Sequence, residues 1–200
     1  MKNHAMREGA IVATALDLAE ERGVAGVTTA GLARRLQFTE AALYRYFPGK
    51  AAILAAALRH MAERLFATML LELMPEAIQH GHALELQVQR HIQRFGLRKG
   101  LLLELLLNAT GAREDALQIA GGDFLQEYTN RMTAYFKQVQ ELRLANAATS
   151  PSELARLWVC QLLGGYVRCR LVRESWDPVA QAGFLAFLAQ LQGSSTLAAS

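Results

Sequence analysis

The sequence predicts an all-α protein, with a three-helix helix-turn-helix unit at its N-terminus and a larger helical region behind it. Three observations predict this. Apolar residues recur at helical spacing from end to end, and no convincing run of alternating β-branched residues competes with them. Caps and breakers punctuate the first fifty residues so closely that three short helices must follow one another there. The chain's excess positive charge falls in that same region. Residues 1–64 hold nine Lys/Arg against six Asp/Glu, whereas residues 65–200 hold twelve of each.

The first helix is marked by the stripe Ile11, Ala15, Leu18 and Ala19, with Gly23 as its expected left-handed terminator. Thr29 is the expected N-cap of a second, short helix carrying Leu32, Ala33 and Leu36, in which Gly31 lowers the intrinsic propensity. After Gln37-Phe38, Thr39 is positioned to cap a third helix reaching Phe47, where Pro48-Gly49 breaks it. Lys50 opens a long apolar-rich helix to about Leu73, stopped by Pro75. The tight junction between the second and third helices is helix-turn-helix geometry, which can set the latter in a major groove.

Beyond Pro75 the residues 84–96, 101–109 and 113–143 read as helices, and Gly121-Gly122 is expected to break or kink the last. Ser150-Pro151-Ser152-Glu153 spells a capping box with proline at the first helical position, opening a helix to about Arg173. Asp177-Pro178 starts a final helix to about Gln192, followed by a tail expected to fray.

Composition narrows the class. Two hundred residues with 52% hydrophobic content and a mean hydropathy of +0.11 describe an ordered globule able to bury a core. No window reaches the roughly 18 uninterrupted apolar residues of a membrane span, and the N-terminus lacks an apolar signal-peptide core. Cys160 and Cys169 make no disulfide framework; on one helix they fall on opposite faces. The expectation is a cytoplasmic, nucleoid-associated protein. The localised positive charge is modest, but it is what a domain meeting a polyanion needs.

The stretch EAALYRYFPGK, residues 40–50, carries the chemistry. Leu43 and Phe47, one turn apart, can pack inward on Leu32 and Leu36. Glu40 with Tyr44, and Ala41 with Arg45, then form adjacent exposed rows. The small side chains of Ala41 and Ala42 permit close approach to a groove floor and contact with thymine methyls. Arg45 can read guanine or hold a phosphate, and the hydroxyls of Tyr44 and Tyr46 can donate to phosphates. Lys50 and the free backbone N–H groups opening the next helix make another phosphate site, and Thr29 and Thr39 offer further donors. Glu40 repels DNA but suits the first turn of a helix.

Residues 11–54 resemble the DNA-binding domain of the tetracycline-repressor (TetR) family, through IVATALDLAEERGVAGVTTAGLA and then TEAALYRYFPGKAAIL. The LYRYFPGK core is the most specific part; the family usually has Gly-Val-Ser where this chain has Gln37-Phe38-Thr39. The resemblance implies phosphate contacts from Thr29, Thr39, Tyr44, Tyr46 and Lys50, with Ala41, Ala42 and Arg45 facing the bases. It also implies a TetR-like architecture: a helix-turn-helix DNA-binding domain over residues 1–50 and a helical ligand-binding and dimerisation domain over 51–200. Double-stranded DNA, a second copy of the chain and a small hydrophobic effector are the implied partners, with no cofactor and no membrane.

Such domains dimerise through their last two helices. Leu157, Gln161, Gly164 and Gly165 set small residues near an apolar stripe, and Ala180, Phe184, Phe187, Leu188 and Leu191 form a matching face. An intramolecular core would use the same stripes; the resemblance favours a homodimer. Gln89, Asn108, Tyr128, Trp158 and Tyr166 are candidates to line an effector pocket, and each equally suits packing or surface. His80 and His82 lack a third ligand at matching spacing, so no metal site is expected. Without a phosphate loop or a nucleophile–base–acid set, the chain does not read as an enzyme, and Glu104, Asp115, Asp123 and Glu127 read as solvated helix charges. Two functions fit: a homodimeric repressor released from its operator by a small hydrophobic ligand, or, since TEAALYRYFPGK is especially similar to the family's nucleoid-occlusion branch, a chromosome-binding protein whose C-terminal domain holds a cell-division protein.

Overall fold

The computed structural model describes residues 2–72, 90–91, 93–95, 97–111, 115–142 and 149–174. Seven α-helices of at least five residues are described: α1 (Lys2–Arg22), α2 (Thr29–Leu36), α3 (Glu40–Tyr44), α4 (Lys50–Glu72), α5 (Leu101–Ala109), α6 (Ala116–Glu141) and α7 (Pro151–Val172). No strand occurs among the described residues. Two compact units divide the chain, Met1–Arg64 with Arg98–Phe124, and Leu65–Leu97 with Leu125–Ser200. The expected stop at Pro75 and the helix 178–192 lie outside the described residues, as does most of 84–96.

In the first unit, Ile11, Ala15, Leu18 and Ala19 are buried as the α1 stripe requires. Leu32, Ala33, Leu43, Ile53, Leu54 and Leu58 complete a core to which α5 adds Leu101, Leu102, Leu103, Leu105 and Leu106. Gly23 ends α1 with φ 76° and ψ 162°. This is not the expected left-handed helical conformation but the mirror-extended region, which is all but closed to residues with a Cβ. The Val24 N–H that this corner exposes is met by Oε1 of Glu104, at 2.8 Å from α5. Glu104 is therefore a backbone cap rather than a solvated charge. Beside it, the Arg98 guanidinium pairs with Asp17 at 3.0 Å and Glu20 at 3.5 Å on α1.

Two boundaries differ from expectation by small, explicable amounts. Thr28, not Thr29, caps α2: its backbone is extended and its hydroxyl accepts from Gly31 N at 3.0 Å. A Cβ at Gly31 would stand 3.0 Å from that hydroxyl, so the glycine that lowers helix propensity makes room for the cap. α3 ends at Tyr44, three residues short of Phe47. Pro48 disfavours the helical conformation in the residue before it, and the chain leaves through one tightened bond, Tyr46 N to Leu43 O at 2.9 Å, and one of ordinary helical span, Phe47 N to Leu43 O at 3.0 Å.

α6 runs unbroken through Gly121-Gly122, against the expected break. A Cβ at Gly121 would stand 3.0 Å from Cβ of Ala109, so this glycine brings α6 close to α5 instead of ending it. In the second unit, Ser150 and Glu153 form the expected capping box at the start of α7, which lowers the Glu153 carboxyl below its ordinary range through the Ser150 hydrogen bonds. Tyr128, Met132, Tyr135, Phe136 and Val139 of α6 and Leu154, Trp158, Leu162 and Tyr166 of α7 form its core.

Candidate DNA-binding interface

The tight turn between α2 and α3 sets the site. Gln37 adopts the left-handed conformation, φ 58° and ψ 37°, and its N–H returns to the carbonyls of Ala33 and Arg34. Phe38 N donates to Ala33 O at 2.8 Å, closing the turn. Thr39 then caps α3 as its position in the sequence predicts, its hydroxyl accepting from Ala42 N at 3.1 Å. Leu43 is buried and Phe47 half-buried, which orients the remaining residues of α3 outward.

Ala41 is exposed and Ala42 half-buried; Tyr44 is 52% exposed, and the Arg45 side chain is exposed. Among the described residues no carboxylate pairs with Arg45. A bare backbone step flanked by an unpaired guanidinium and a free-standing phenol is thus presented on one surface. Such a surface can approach base edges through Ala41 and phosphates through Tyr44 and Arg45.

Three of the remaining candidates are already engaged. The Thr29 hydroxyl donates to Oε2 of Glu40 at 2.7 Å, tying the first residue of α2 to the first of α3. Glu40 thereby has a structural partner, which accounts for a carboxylate beside a cationic surface. Lys50, half-buried at the start of α4, donates from Nζ to Ala25 O at 3.1 Å. One of three ammonium donors is fixed to the protein and two remain for a phosphate. Tyr46 is half-buried, its ring 4.7 Å from that of His4 on α1. Sequence reasoning missed both His4 and the Thr28 cap; a threonine pair does signal a cap, but not which of the two serves.

Of the effector-pocket candidates, Tyr128 and Trp158 meet in the second unit, which also buries Tyr166, while Asn108 belongs to the first. Asn108 is exposed in the first unit and its amide donates to Glu104 O. Gln89 lies outside the described residues. Tyr128, Trp158 and Tyr166 are buried in the second unit, where Trp158 Nε1 donates to the Tyr128 hydroxyl at 2.6 Å. The same oxygen lies 2.7 Å from Nε2 of His91, a buried residue that the sequence did not single out. An indole N–H can only donate, so the Tyr128 oxygen accepts from Trp158. Burial, then the Arg94 charge, lowers the His91 pKa to about 3, and burial raises that of the Tyr128 phenol. A helical i,i+4 relation to Phe95 was the one available signal for His91.

Of the dimer candidates, Leu157 is 48% exposed, Gln161 and Gly164 are exposed, and Gly165 is half-buried. Leu171 and Val172 on the same helix are also exposed. Phe184, Phe187, Leu188 and Leu191 lie outside the described residues. Among the described residues no three His, Cys, Asp or Glu side chains converge on a metal position, and no helix is long and apolar enough to cross a membrane.

A capped, tightly turned helix pair that holds unpaired cationic and phenolic side chains over bare alanines defines a helix-turn-helix DNA-binding protein. Residues 11–57 match the family model of the bacterial regulatory proteins of the tetR family. The chain thus carries the N-terminal helix-turn-helix domain of TetR-family regulators, and its fold is all-α with a helical C-terminal domain. Over 188 residues it is 26% identical to the nucleoid occlusion factor SlmA of Marinobacter nauticus, covering 88% of this chain and 95% of that one. Its fold matches SmeT, the repressor of the Stenotrophomonas maltophilia multidrug efflux pump SmeDEF, with a TM-score of 0.66 and 20% identity over 87% of this chain and 83% of that one. A Saccharomonospora viridis protein solved in complex with choline matches with a TM-score of 0.72 and 18% identity, over 93% and 96% of the two chains.

Proposed function

We propose that this protein is a homodimeric repressor, released from a near-palindromic operator by a small hydrophobic ligand. In this reading residues 1–50 form the DNA-binding domain and 51–200 the regulatory and dimerisation domain. The presentation of Ala41, Tyr44 and Arg45 on the outer face of α3 carries it, with Thr29, Thr39, Ala42, Tyr46 and Lys50 completing the contact. The exposed line Leu157, Gln161, Gly164 and Leu171 on α7 supports a second copy as its cover, since its intervals of four, three and seven residues keep it on one face, as a helix–helix seam requires. Two reading heads held together gain affinity for paired half-sites that neither has alone. A ligand bound better by one spacing of the heads than by the other releases the operator. The choline complex and the efflux-pump repressor among the similar folds support a ligand-responsive repressor.

A second reading, a nucleoid-occlusion protein that binds scattered chromosomal sites and a cell-division partner, draws on the likeness to SlmA along most of the chain. Mapping of bound DNA across the genome separates the two. Enrichment at one or a few promoters is expected for the repressor, dispersed enrichment favours nucleoid occlusion, and no enrichment overturns both. For the dimer, Leu157→Asp is expected to shift the sedimenting species to a monomer; a wild-type that already sediments as a monomer contradicts it.

A further inference from the structure

We propose that the N-terminal turns of α1 belong to the DNA-contacting surface, with His4 positioning Tyr46 and Arg7 adding a phosphate contact of its own. This rests on the DNA-binding reading of α3 and goes beyond it. α1 begins at Lys2, whereas the family match begins at residue 11, so more than two helical turns precede it.

These turns lie against the reading head. The His4 ring stands 4.7 Å from the ring of Tyr46, tilted by 35°, and Nε2 of His4 reaches Oε1 of Glu8 at 3.3 Å, one turn along α1. Held from both sides, His4 limits the positions open to the phenol of Tyr46, whose hydroxyl is a proposed phosphate donor. One turn from His4, the Arg7 guanidinium carbon sits 5.8 Å from the ring centre of Phe38, in the turn between α2 and α3. Arg7 is exposed, and no carboxylate pairs with it among the described residues.

Between these same turns and α4 lies an open cleft of about 330 Å³, lined by Glu8, Val12, Ala13, Phe47, Ala56 and His60. The segment reaches that cleft only through Glu8 and Gly9. Its ring contacts are with Phe38 and Tyr46, residues that bracket α3. An unpaired guanidinium held beside the recognition helix, on a domain that carries the chain's excess positive charge, has a polyanion as its fitting partner.

The test measures binding of the full-length protein to a fluorescein-labelled duplex of mixed sequence across a sodium chloride series. Phosphate contacts contribute on any sequence, so no operator is needed. Arg7→Ala is expected to weaken binding and to reduce the slope of log affinity against log salt by about one contact's worth, roughly 0.9. His4→Ala is expected to weaken binding about threefold to tenfold, in the range of one aromatic pair, and His4→Phe to restore it. Circular dichroism and thermal unfolding of each variant separate these effects from loss of fold. Tyr44→Ala serves as the control for the underlying reading. If it loses binding while Arg7→Ala and His4→Ala keep both affinity and slope, the proposal is overturned and the α3 interface stands. If Tyr44→Ala also binds normally, the α3 interface fails, and the proposal falls with it.

Discussion

Gln37 sits in a left-handed conformation that costs an L-residue with a Cβ about 1–2 kcal/mol, at the one position where the reading head must turn sharply. The turn keeps its geometry because Gln37 N and Phe38 N both return to carbonyls of α2 and Leu43 is buried beneath. Gln37→Gly should therefore stabilise the protein by about 1 kcal/mol, read as a higher urea midpoint, with DNA affinity little changed. His91 shows the opposite situation, a titratable group whose cost appears only in acid. Its ordinary pKa of 6.5 falls to about 3 in the fold, so the unfolded chain takes up the proton first as pH drops. Its contribution is complete above about pH 6.5 and is lost between there and about pH 3, at about 1.4 kcal/mol per pH unit. Urea midpoints measured against pH should lose one proton's worth of slope in that window in His91→Phe. An unchanged slope would mean that His91 is not buried neutral.

Elements were legible where their ends carry local chemistry. Thr39 and the Ser150–Glu153 box fix helix starts through contacts no more than four residues apart, so the sequence pattern and the structure agree there. Misreadings occurred where a residue answers to something distant. Gly121-Gly122 reads locally as a break, but Gly121 is required by Ala109 on the neighbouring α5, and the helix continues through both. The two glycines consequently make opposite predictions. Gly121→Val should destabilise the protein by about 1–3 kcal/mol through overpacking. Gly122→Ala, exposed and with nothing within 4 Å of its Cβ position, should stabilise it by up to about 1 kcal/mol through helix propensity alone. Thermal unfolding of the pair checks both. Matching losses would mean that both positions are packed.

For the whole molecule, the helical class and the candidate DNA-contacting segment could be seen in sequence because both are written in short segments: stripes, caps and the run from Glu40 to Lys50. What ties those segments together could not. Glu104 meets Val24 across 80 positions and Arg98 reaches Asp17 across 81, and no local pattern marks either pair. His91, Tyr128 and Trp158 likewise assemble from three separate stretches of chain. The same distinction explains why the candidate DNA contacts fall in one short run of sequence while the effector-pocket candidates come from separate stretches. A recognition helix is a single short element, whereas a pocket is a property of packing. The central claim, that the outer face of α3 and the start of α4 hold DNA, is tested most directly by affinity of the Tyr44→Ala, Lys50→Ala double variant for DNA upstream of the protein's own coding region. With two donors removed, a loss of at least about tenfold is predicted, with the helical circular dichroism signal retained. Wild-type affinity in that variant would contradict the account.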